Sequence, residues 1–391
     1  MNHVRIGIVG IGNIGSAHAR CIASGHIKGL ELTAVCDIDP EKLAQADVYA
    51  PDAASFSQYE DMLNSGLVEA VLIAVPHFLH PDFAIQAFQR GMHVLTEKPS
   101  GVYTLQVEQM NQAAVRAGKT FGIMFNQRTN PLFQKARELV RGGRIGKTKR
   151  LVWIITNWYR TQAYYDSGGW RATWSGEGGG VLINQAPHNL DLWQWMFGMP
   201  TRLRAVCNAG KYHNIEVEDE AAIYAEYENG ATATFLTSTG EFPGTNRLEI
   251  TGDRGKIVIE DGLLRFWELG ISESEFCFSA KDTKSVPPVT YQEYTSENSG
   301  PAHSGILQNF TDAILNGTEL LSPGYDGLNE ISISNAAYLS AWTNQWVDLP
   351  IDGESFYVHL QKRIENSSKK ADTIQKTVPT GDYKERWSVR W

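Results

Sequence analysis

The chain has 391 residues, of which 42% are hydrophobic and 20% are charged. At roughly 150 residues per domain, this length predicts two or three domains, and the composition excludes disorder, collagen and coiled coil. Acidic residues number 44 and basic residues 35, which gives a formal net charge of −9 and argues against nucleic acid or an anionic membrane as a partner. A small molecule is the expected partner.

The cysteines and the hydropathy pattern bear on the cellular compartment. Cys21, Cys36, Cys207 and Cys277 lie far apart, with no spacing that suits a zinc site or a disulfide framework. Glycines interrupt the apolar stretch at the N-terminus, so it does not resemble a signal peptide, and no run of about 18 apolar residues occurs to span a bilayer. We therefore expect a cytoplasmic protein.

Strand and helix patterns alternate along the first third of the chain. Apolar runs at Val4–Val9, 31–36, 68–75, 92–96 and 120–125 predict strands, and the segments between them have helical periodicity. This order predicts an α/β fold with a doubly wound parallel sheet and right-handed crossovers.

The pattern changes near residue 126, where Asn130 and Pro131 provide a cap and a first turn for a helix. From about 149 to 260 the chain alternates polar and apolar residues, and Asn229-Gly230 predicts a hairpin turn. A second domain with a large, mostly antiparallel sheet is expected, with one helix over 181–197. We predict domains at 1–127 and 128–350, and a C-terminal extension or arm at 351–391.

A glycine-rich turn follows the first strand and opens the first helix. Gly10, Gly12 and Gly15 have the G-x-G-x-x-G spacing, and Asp37 ends the second strand about 20 residues further on. Such a turn places a pyrophosphate on a helix N-terminus, and the acid accepts hydrogen bonds from a ribose. The pattern favours NAD over NADP, because Asp37 would repel a 2′-phosphate. A flavin, or a turn that serves only chain geometry, is the alternative.

Two segments offer groups for alcohol oxidation. Lys98, between Glu97 and Pro99 at the end of the fourth long strand, can supply positive charge near a developing alkoxide. An imidazole ordinarily titrates near neutrality, so His188 suits a general base, and helical spacing would place Asn184 and Asp191 on its face. A surface lysine and a core histidine are the alternatives.

Further histidines and a dense group of aromatic residues surround these candidates. His77 and His80 lack a carboxylate or thiolate cluster that would indicate a metal site, so they are expected at the cofactor edge or at a helix start. Residues 157–174 contain three tryptophans and three tyrosines, whose rings can stack on sugars or simply pack in the core. Arg160, Asp166 and Arg171 in this segment can bind hydroxyls or phosphate.

Three stretches together resemble one known family. GIGNIG with Asp37, then VPHFLHPDFAIQAFQRGMHVLTEKPSG, then the GGG-x-L helix with His188 and Asp191, are similar to the glucose-fructose oxidoreductase, inositol dehydrogenase and rhizopine-catabolism (Gfo/Idh/MocA) family. The resemblance implies a Rossmann domain followed by an α/β domain whose open sheet often mediates dimers or tetramers. It also implies NAD(P) and a sugar, polyol or related ring alcohol.

The resemblance also implies roles for single residues. Lys98 matches the family's substrate-orienting lysine and His188 its catalytic histidine. The chain departs from the family at Asn184, where aspartate is usual, and at His77, where asparagine is common. Asparagine cannot relay a proton, so the base strength of His188 is expected to be lower than in typical members.

These observations define the expected site, which contains no metal. The expected cofactor contacts are Gly10, Gly12, Asn13, Ile14, Asp37, Pro76, His77, His80, Glu97, Lys98, Asn126, Trp170 and Arg171. The expected substrate contacts are Lys98, Tyr159, Arg160, Tyr164, Asn184 and His188, of which Lys98, Asn184 and His188 are the catalytic set.

We therefore predict an NAD-dependent dehydrogenase that oxidises a ring secondary hydroxyl of a sugar or glycoside, with C3 of a glucoside as the first choice and inositol as the second. His188 would take the hydroxyl proton, Lys98 would stabilise the alkoxide and Asn184 would hold a neighbouring hydroxyl, so Lys98 and His188 are expected beside the same nicotinamide. A glycoside hydrolase that retains NAD and a non-catalytic NAD-binding regulator are the alternatives. A homodimer or homotetramer is expected through the C-terminal sheet.

Overall fold

A computed structural model describes residues 3–296 and 298–368 of the chain. These residues form two compact units that are discontinuous in sequence. The first unit takes the chain up to Thr129 together with Pro301–Ile331, and the second takes Asn130–Gly300 together with the chain from Ser332 onward.

The first unit is built on a six-stranded parallel sheet, as the alternating pattern predicts. Its strand order is β3-β2-β1-β4-β5-β6, with crossovers on both sides of β1. The strands are β1 (Val4–Val9), β2 (Leu30–Cys36), β3 (Ala54–Phe56), β4 (Ala70–Ile73), β5 (His93–Thr96) and β6 (Phe121–Ile123). The connecting helices are α1 (Asn13–Ala23), α2 (Pro40–Tyr49), α3 (Tyr59–Asn64), α4 (His80–Gln89) and α5 (Thr104–Ala117).

The returning segment 301–331 completes the first unit, whereas the sequence analysis placed it in the second domain. The helix within it, α11 (Ala302–Asn316), carries Ile306, Leu307 and Phe310 on one face, and all three are buried in the same cluster as Val4 and Ile6 of β1. This apolar stripe explains the difference, because local periodicity predicts a helix but does not say which sheet the helix covers.

The second unit is built on a nine-stranded sheet of order β14-β13-β12-β11-β7-β10-β9-β8-β15. Every neighbouring pair is antiparallel except β7 and β10, which confirms the predicted mostly antiparallel sheet. Asn229 and Gly230 lie in the turn between β9 and β10, as predicted. The strands are β7 (Thr148–Ile155), β8 (Arg202–Ala209), β9 (Glu218–Glu226), β10 (Thr232–Ser238), β11 (Asn246–Gly252), β12 (Gly255–Glu260), β13 (Leu263–Leu269), β14 (Val289–Thr295) and β15 (Val347–Asp348).

The helices of the second unit begin with the one that the Asn130-Pro131 pair predicts. The Asn130 side chain accepts a hydrogen bond from the backbone N–H of Leu132 at 2.9 Å, which caps the helix. The helices are α6 (Pro131–Arg141), α7 (Gln162–Asp166), α8 (Val181–Asn184), α9 (Pro187–Phe197), α10 (Glu273–Ser279) and α13 (Gly353–Glu365), and α12 (Gly327–Thr343) begins in the first unit and ends in the second.

The single helix expected over 181–197 is two helices. Asn184 ends α8, and α9 begins at Pro187, directly before His188. Proline lacks a backbone N–H, so Pro187 cannot donate the hydrogen bond that would continue the helix, and the helix stops and restarts there. Asn184 and His188 therefore do not share one continuous helical face, which corrects the spacing argument made from the sequence.

The extension expected at 351–391 starts with ordered structure. Asp352 caps α13 by accepting a hydrogen bond from Ser355 N at 3.1 Å, and Phe356 and Leu360 of this helix are fully buried. The ring of Phe356 stacks on Trp342 at 5.4 Å between centroids, so 353–365 belongs to the core of the second unit. The remainder of the expected arm, 369–391, lies outside the described residues.

Candidate functional site

The glycine turn between β1 and α1 has the geometry that a dinucleotide requires. Gly10 has a φ of +88°, and a Cβ at this position would lie 2.5 Å from the carbonyl oxygen of Ala74. A Cβ at Gly15 would lie 1.8 Å from the carbonyl oxygen of Gly10. These two glycines are therefore required by the turn and by close packing of helix on strand.

Gly12 differs from both, and its surroundings test whether the turn suits a ligand. Its backbone angles, φ −76° and ψ −161°, are open to any residue, and a Cβ there would meet no atom of the described residues within 4 Å. Nothing in this described part of the chain requires glycine at this position. A phosphate group that approaches the bare backbone at the N-terminus of α1 would supply the reason, so the residues present fit a dinucleotide. Asn13 and Ile14, two expected cofactor contacts, form the first turn of this helix.

Asp37, at the end of β2, is held beside the glycine turn. Its Oδ2 accepts a hydrogen bond from Ile11 N at 2.7 Å, and its Oδ1 accepts one from Asp39 N at 2.9 Å. The carboxylate is thus fixed at the carboxyl edge of the sheet, where ribose recognition is expected. Lys42, which the sequence analysis did not single out, lies with its Nζ 3.5 Å from Oδ1.

Pro76, His77 and His80 follow β4. His77 lies in a short 3₁₀ turn and His80 is the first residue of α4, so the predicted helix start is confirmed. The Nδ1 and Nε2 atoms of His80 each lie 2.7 Å from a backbone carbonyl oxygen, those of Pro99 and Val75 respectively. Burial lowers the pKa of His80, although both carbonyl contacts favour the charged form. Its ring links the loops that follow β4 and β5, and a cofactor contact for it stays a prediction.

Glu97 and Lys98 follow β5, at the carboxyl edge predicted for them. The Glu97 carboxylate is buried and lies 2.7 Å from His18 Nε2, and its other oxygen accepts a hydrogen bond from Lys98 N at 3.2 Å. Burial acts to raise the pKa of Glu97, but the hydrogen bond and charge of His18, with a smaller contribution from Lys98, hold this pKa below its usual value. Glu97 is therefore an anion that orients the backbone of Lys98.

Two histidines of this cluster, His18 and His303, were not predicted. Their rings are 5.5 Å apart in an edge-to-face arrangement, and Asn126, an expected cofactor contact, has its Nδ2 3.4 Å from His303 Nδ1. Burial lowers the pKa of His303 to about 3, which keeps the ring neutral. His303 belongs to the returning helix α11, so no local signal in the first third of the chain could have identified it.

The aromatic segment of the second unit divides into packed and accessible rings. Trp158, Tyr165 and Trp174 are buried, in agreement with the core interpretation. Tyr159 is 46% exposed, and Tyr164 and Trp170 are half-buried, so three rings can face a ligand. The core interpretation is thus confirmed for three of the six rings, and stacking on a sugar stays a prediction.

The Tyr164 hydroxyl is the centre of a polar cluster. It accepts hydrogen bonds from Arg171 Nη1 at 3.0 Å, from Gln185 Nε2 at 3.2 Å and from Asn184 Nδ2 at 3.3 Å. The guanidinium groups of Arg171 and Arg160 also lie over its ring, at 4.7 and 5.0 Å from the centroid. The structure therefore brings together four of the residues that the sequence analysis named for this site and adds Gln185.

Glu177 is the carboxylate of this cluster, and it was not predicted from the sequence. It is 1% exposed, its Oε1 accepts a hydrogen bond from Asn184 Nδ2, and its Oε2 accepts one from Ala172 N at 2.6 Å. Arg171 Nη1 lies 4.0 Å from Oε1. A glutamate within a glycine-rich loop carries no motif, so its role becomes visible only when the loop is folded.

Two further acids support the elements that carry these side chains. Glu218 caps α8 by accepting hydrogen bonds from Gly180 N and Leu182 N, both at 2.9 Å. Asp219 lies 3.0 Å from His213 Nδ1, and His213 Nε2 lies 2.9 Å from the carbonyl oxygen of Arg160. His213 thereby holds the loop that carries Tyr159 and Arg160.

His188 and Asp191 lie in the first turns of α9. His188 is 7% exposed, and Asp191 is fully buried and accepts a hydrogen bond from Gln194 Nε2 at 2.9 Å. Asp191 is therefore part of the core around the helix start. His188 belongs to the second unit and Lys98 to the first, and their joint action stays a prediction.

Residues 3–296 and 298–368 contain neither a metal-binding cluster nor a membrane-spanning helix. Within them, no group of three or more histidine, cysteine, aspartate or glutamate side chains is arranged to hold a metal ion. None of their helices has the length and apolar character needed to cross a bilayer. All four cysteines lie in these ranges and are free thiols.

Comparison with known proteins finds a matching family model for part of each unit. Residues 4–125 match the oxidoreductase family with an NAD-binding Rossmann fold, and residues 133–258 match the Gfo/Idh/MocA C-terminal domain, together more than half of the chain. The chain is 27% identical to scyllo-inositol 2-dehydrogenase (NAD(+)) of Bacillus subtilis over 352 residues, 86% of this chain and 94% of that protein.

A shorter match is 34% identical, over 146 residues, to inositol 2-dehydrogenase of Salmonella paratyphi B; it spans 37% of this chain and only 43% of that relative. Among solved structures, the WlbA dehydrogenase of Bordetella pertussis in complex with NADH and UDP-GlcNAcA superposes with a TM-score of 0.75 and 27% identity, over 90% of this chain and 100% of that one. Both domain matches identify the same family, and the glycine turn and Asp37 are consistent with its NAD-binding domain. The chain belongs to the Gfo/Idh/MocA family of NAD-binding oxidoreductases.

Proposed function

We propose that the protein is an NAD-dependent dehydrogenase that oxidises a ring secondary hydroxyl of a sugar, glycoside or cyclic polyol. The observation that carries the proposal is the cluster around the Tyr164 hydroxyl, where Arg171, Asn184 and Gln185 converge beside half-buried aromatic rings. Several fixed donors next to an apolar ring surface suit a molecule with many hydroxyls and flat C–H faces.

Each proposed residue has one task. His188 takes the proton of the hydroxyl that is oxidised, and Lys98 stabilises the negative charge that develops on that oxygen. Asn184, Tyr164 and Arg160 hold neighbouring hydroxyls. Tyr159 offers an exposed ring for stacking. NAD, when bound, supplies the carbon that accepts the hydride.

The proposed cofactor contacts extend beyond the glycine turn. Asn13 and Ile14 would face the pyrophosphate and Asp37 the adenosine ribose. The nicotinamide half is assigned to the loops after β4, β5 and β6 and to two residues of the aromatic segment; the residues are Pro76, His77, His80, Glu97, Lys98, Asn126, Trp170 and Arg171.

Two substrates are proposed, in order of preference. C3 of a glucoside is the first choice, on the basis of the accessible rings of the aromatic segment. Inositol is the second, and the similarity to two proteins named as inositol 2-dehydrogenases favours it.

A panel of inositols, free hexoses and alkyl or aryl glucosides tests the function. Wild-type protein with NAD should produce NADH in proportion to the alcohol consumed, as followed by NADH absorbance. Release of the aglycone without accumulation of NADH would instead indicate a hydrolase that retains its cofactor. Binding of NAD without turnover of any compound would indicate a regulator.

We also propose that the outer face of the nine-stranded sheet docks a second copy of the chain. Arg247, Ile154, Leu236, Ala222 and Val206 form one continuous row across five paired strands, and Val206 is 58% exposed. Four adjacent apolar side chains on an open sheet face suit a self-complementary interface. Val206→Arg should lower the mass measured by light scattering to that of a monomer, while Val115→Arg, at a valine 69% exposed in the first unit, should not.

A further inference from the structure

The strongest unexplained feature is the contact between Glu177 and Asn184. The two side chains meet through Asn184 Nδ2 and Glu177 Oε1. A carboxylate only accepts hydrogen bonds, so the amide must turn its nitrogen toward Glu177. The Asn184 carbonyl oxygen therefore points away from Glu177, where it can accept a hydrogen bond.

Glu177 is itself rigidly held. The second carboxylate oxygen accepts a hydrogen bond from the backbone N–H of Ala172 at 2.6 Å, and the side chain is buried. Arg171, 4.0 Å away, provides the opposite charge that a buried carboxylate requires. The same arginine donates to the Tyr164 hydroxyl at 3.0 Å. Glu177 therefore fixes Asn184 directly and acts on Tyr164 through both Asn184 and Arg171.

We propose that Glu177 is a positioning residue for alcohol oxidation. Its buried carboxylate selects the orientation of the Asn184 amide and keeps Asn184 and Tyr164 in the geometry that receives the substrate hydroxyls. This inference rests on the proposed dehydrogenase function and assigns a role to a residue outside the proposed catalytic and cofactor-binding sets. The contact between residues 177 and 184 requires one carboxylate, which accepts the hydrogen bond, and one amide, which donates it.

The pairing predicts a specific pattern of variants. In Glu177→Gln the new amide can accept from Ala172 N or from Asn184 Nδ2 but not from both, so one donor loses its partner. In Asn184→Asp two carboxylates face each other at hydrogen-bond distance and cannot both ionise. In the double variant the amide now at position 177 can accept from Ala172 N and donate to the carboxylate now at position 184, so a carboxylate–amide pair forms again with its polarity reversed.

The experiment compares wild type, E177Q, N184D and E177Q/N184D, with Glu138→Gln as a control at an exposed glutamate. For E177Q we expect kcat to fall about tenfold to hundredfold, because misplaced hydroxyl contacts lower turnover. For N184D we expect a lower melting temperature, with a deficit that grows as pH rises. The double variant should melt within about 2 °C of wild type and turn over faster than N184D.

Separate outcomes identify which proposal fails. Additive losses in melting temperature across the four proteins, with the double variant the least stable, would overturn the inference whatever the activity. Wild-type kcat and pH profile in E177Q would also overturn it. Coupled melting temperatures in a protein that oxidises no alcohol would contradict the proposed function while leaving the 177–184 pairing established.

Discussion

Tyr338 and Glu218, which are 120 positions apart in the chain, share a buried hydrogen bond in which the tyrosine hydroxyl donates to Glu218 Oε1 at 2.7 Å. The same carboxyl group caps α8, the helix that ends at Asn184. Burial raises the pKa of Glu218 to about 7, against the opposing effect of its hydrogen bonds.

This pKa makes part of the stability depend on pH. The folded state holds a proton on Glu218 between about pH 4.5 and 7, where the unfolded chain has released it, so folding becomes less favourable as pH rises through this window. A shift of this size corresponds to about 3 kcal/mol between pH 4 and pH 8. Glu218→Gln should remove that part of the decline in the free energy of unfolding.

Urea unfolding of wild type and Glu218→Gln at several pH values measures the difference. Glu138→Gln, at an exposed glutamate with a surface ion pair, serves as the matched control and should leave the pH slope unchanged. Equal slopes for wild type and Glu218→Gln would show that Glu218 ionises normally in the fold.

Alanine at two glycines of the same turn should affect different properties, NAD affinity at Gly12 and the stability of the fold at Gly15. Gly12→Ala meets open space, so the free energy of unfolding should change by less than about 0.5 kcal/mol while NAD affinity falls. Gly15→Ala places a methyl group against the Gly10 carbonyl and should destabilise the fold by about 3 kcal/mol or more. Urea unfolding and calorimetric titration with NADH separate the effects. Undiminished NAD affinity in Gly12→Ala would argue against phosphate binding at this backbone.

Asp37 should control the choice between NAD and NADP. Asp37→Ser removes the charge that repels a 2′-phosphate, and Lys42, 3.5 Å from the carboxylate, would then face the phosphate. We expect NADH affinity to fall about tenfold and NADPH affinity to rise, as measured by calorimetry. Adding Lys42→Ala should cancel the gain for NADPH. If the Asp37→Ser variant kept the wild-type preference for NADH, another residue would determine the choice between the two cofactors.

His188→Ala should reduce kcat by about 100-fold to 10,000-fold and leave NADH affinity unchanged, because a general base acts on the reacting hydroxyl only. Steady-state kinetics on the best alcohol of the panel, with cofactor titration, measures both quantities. His26→Ala, at an exposed histidine in the first unit, is the control and should retain full turnover. If His188→Ala turned over at the wild-type rate, another group would be the base.

Local signals predicted much of the fold. Alternating apolar runs identified the parallel strands, and Asn130-Pro131 and Asn229-Gly230 marked a helix start and a turn, because caps and turns depend on a few adjacent residues. The break before Pro187 also had a local signal, which the longer helical periodicity concealed.

The remaining features depend on contacts between distant residues. Glu177 and His303 carry no motif, and both acquire their roles from neighbours that only the folded chain provides. Asn184 shows the limit most clearly, because the sequence identified it as a departure from the family but gave no sign of the carboxylate seven positions earlier that binds it.

The return of residues 301–331 to the first unit has a practical consequence for fragments of this protein. A piece that stops at Thr129 has all six parallel strands but lacks α11, so it exposes the apolar surface of Val4 and Ile6 that Leu307 and Phe310 cover. Such a piece should aggregate rather than bind NADH. A usable nucleotide-binding fragment would need both stretches of chain, joined by a short artificial linker.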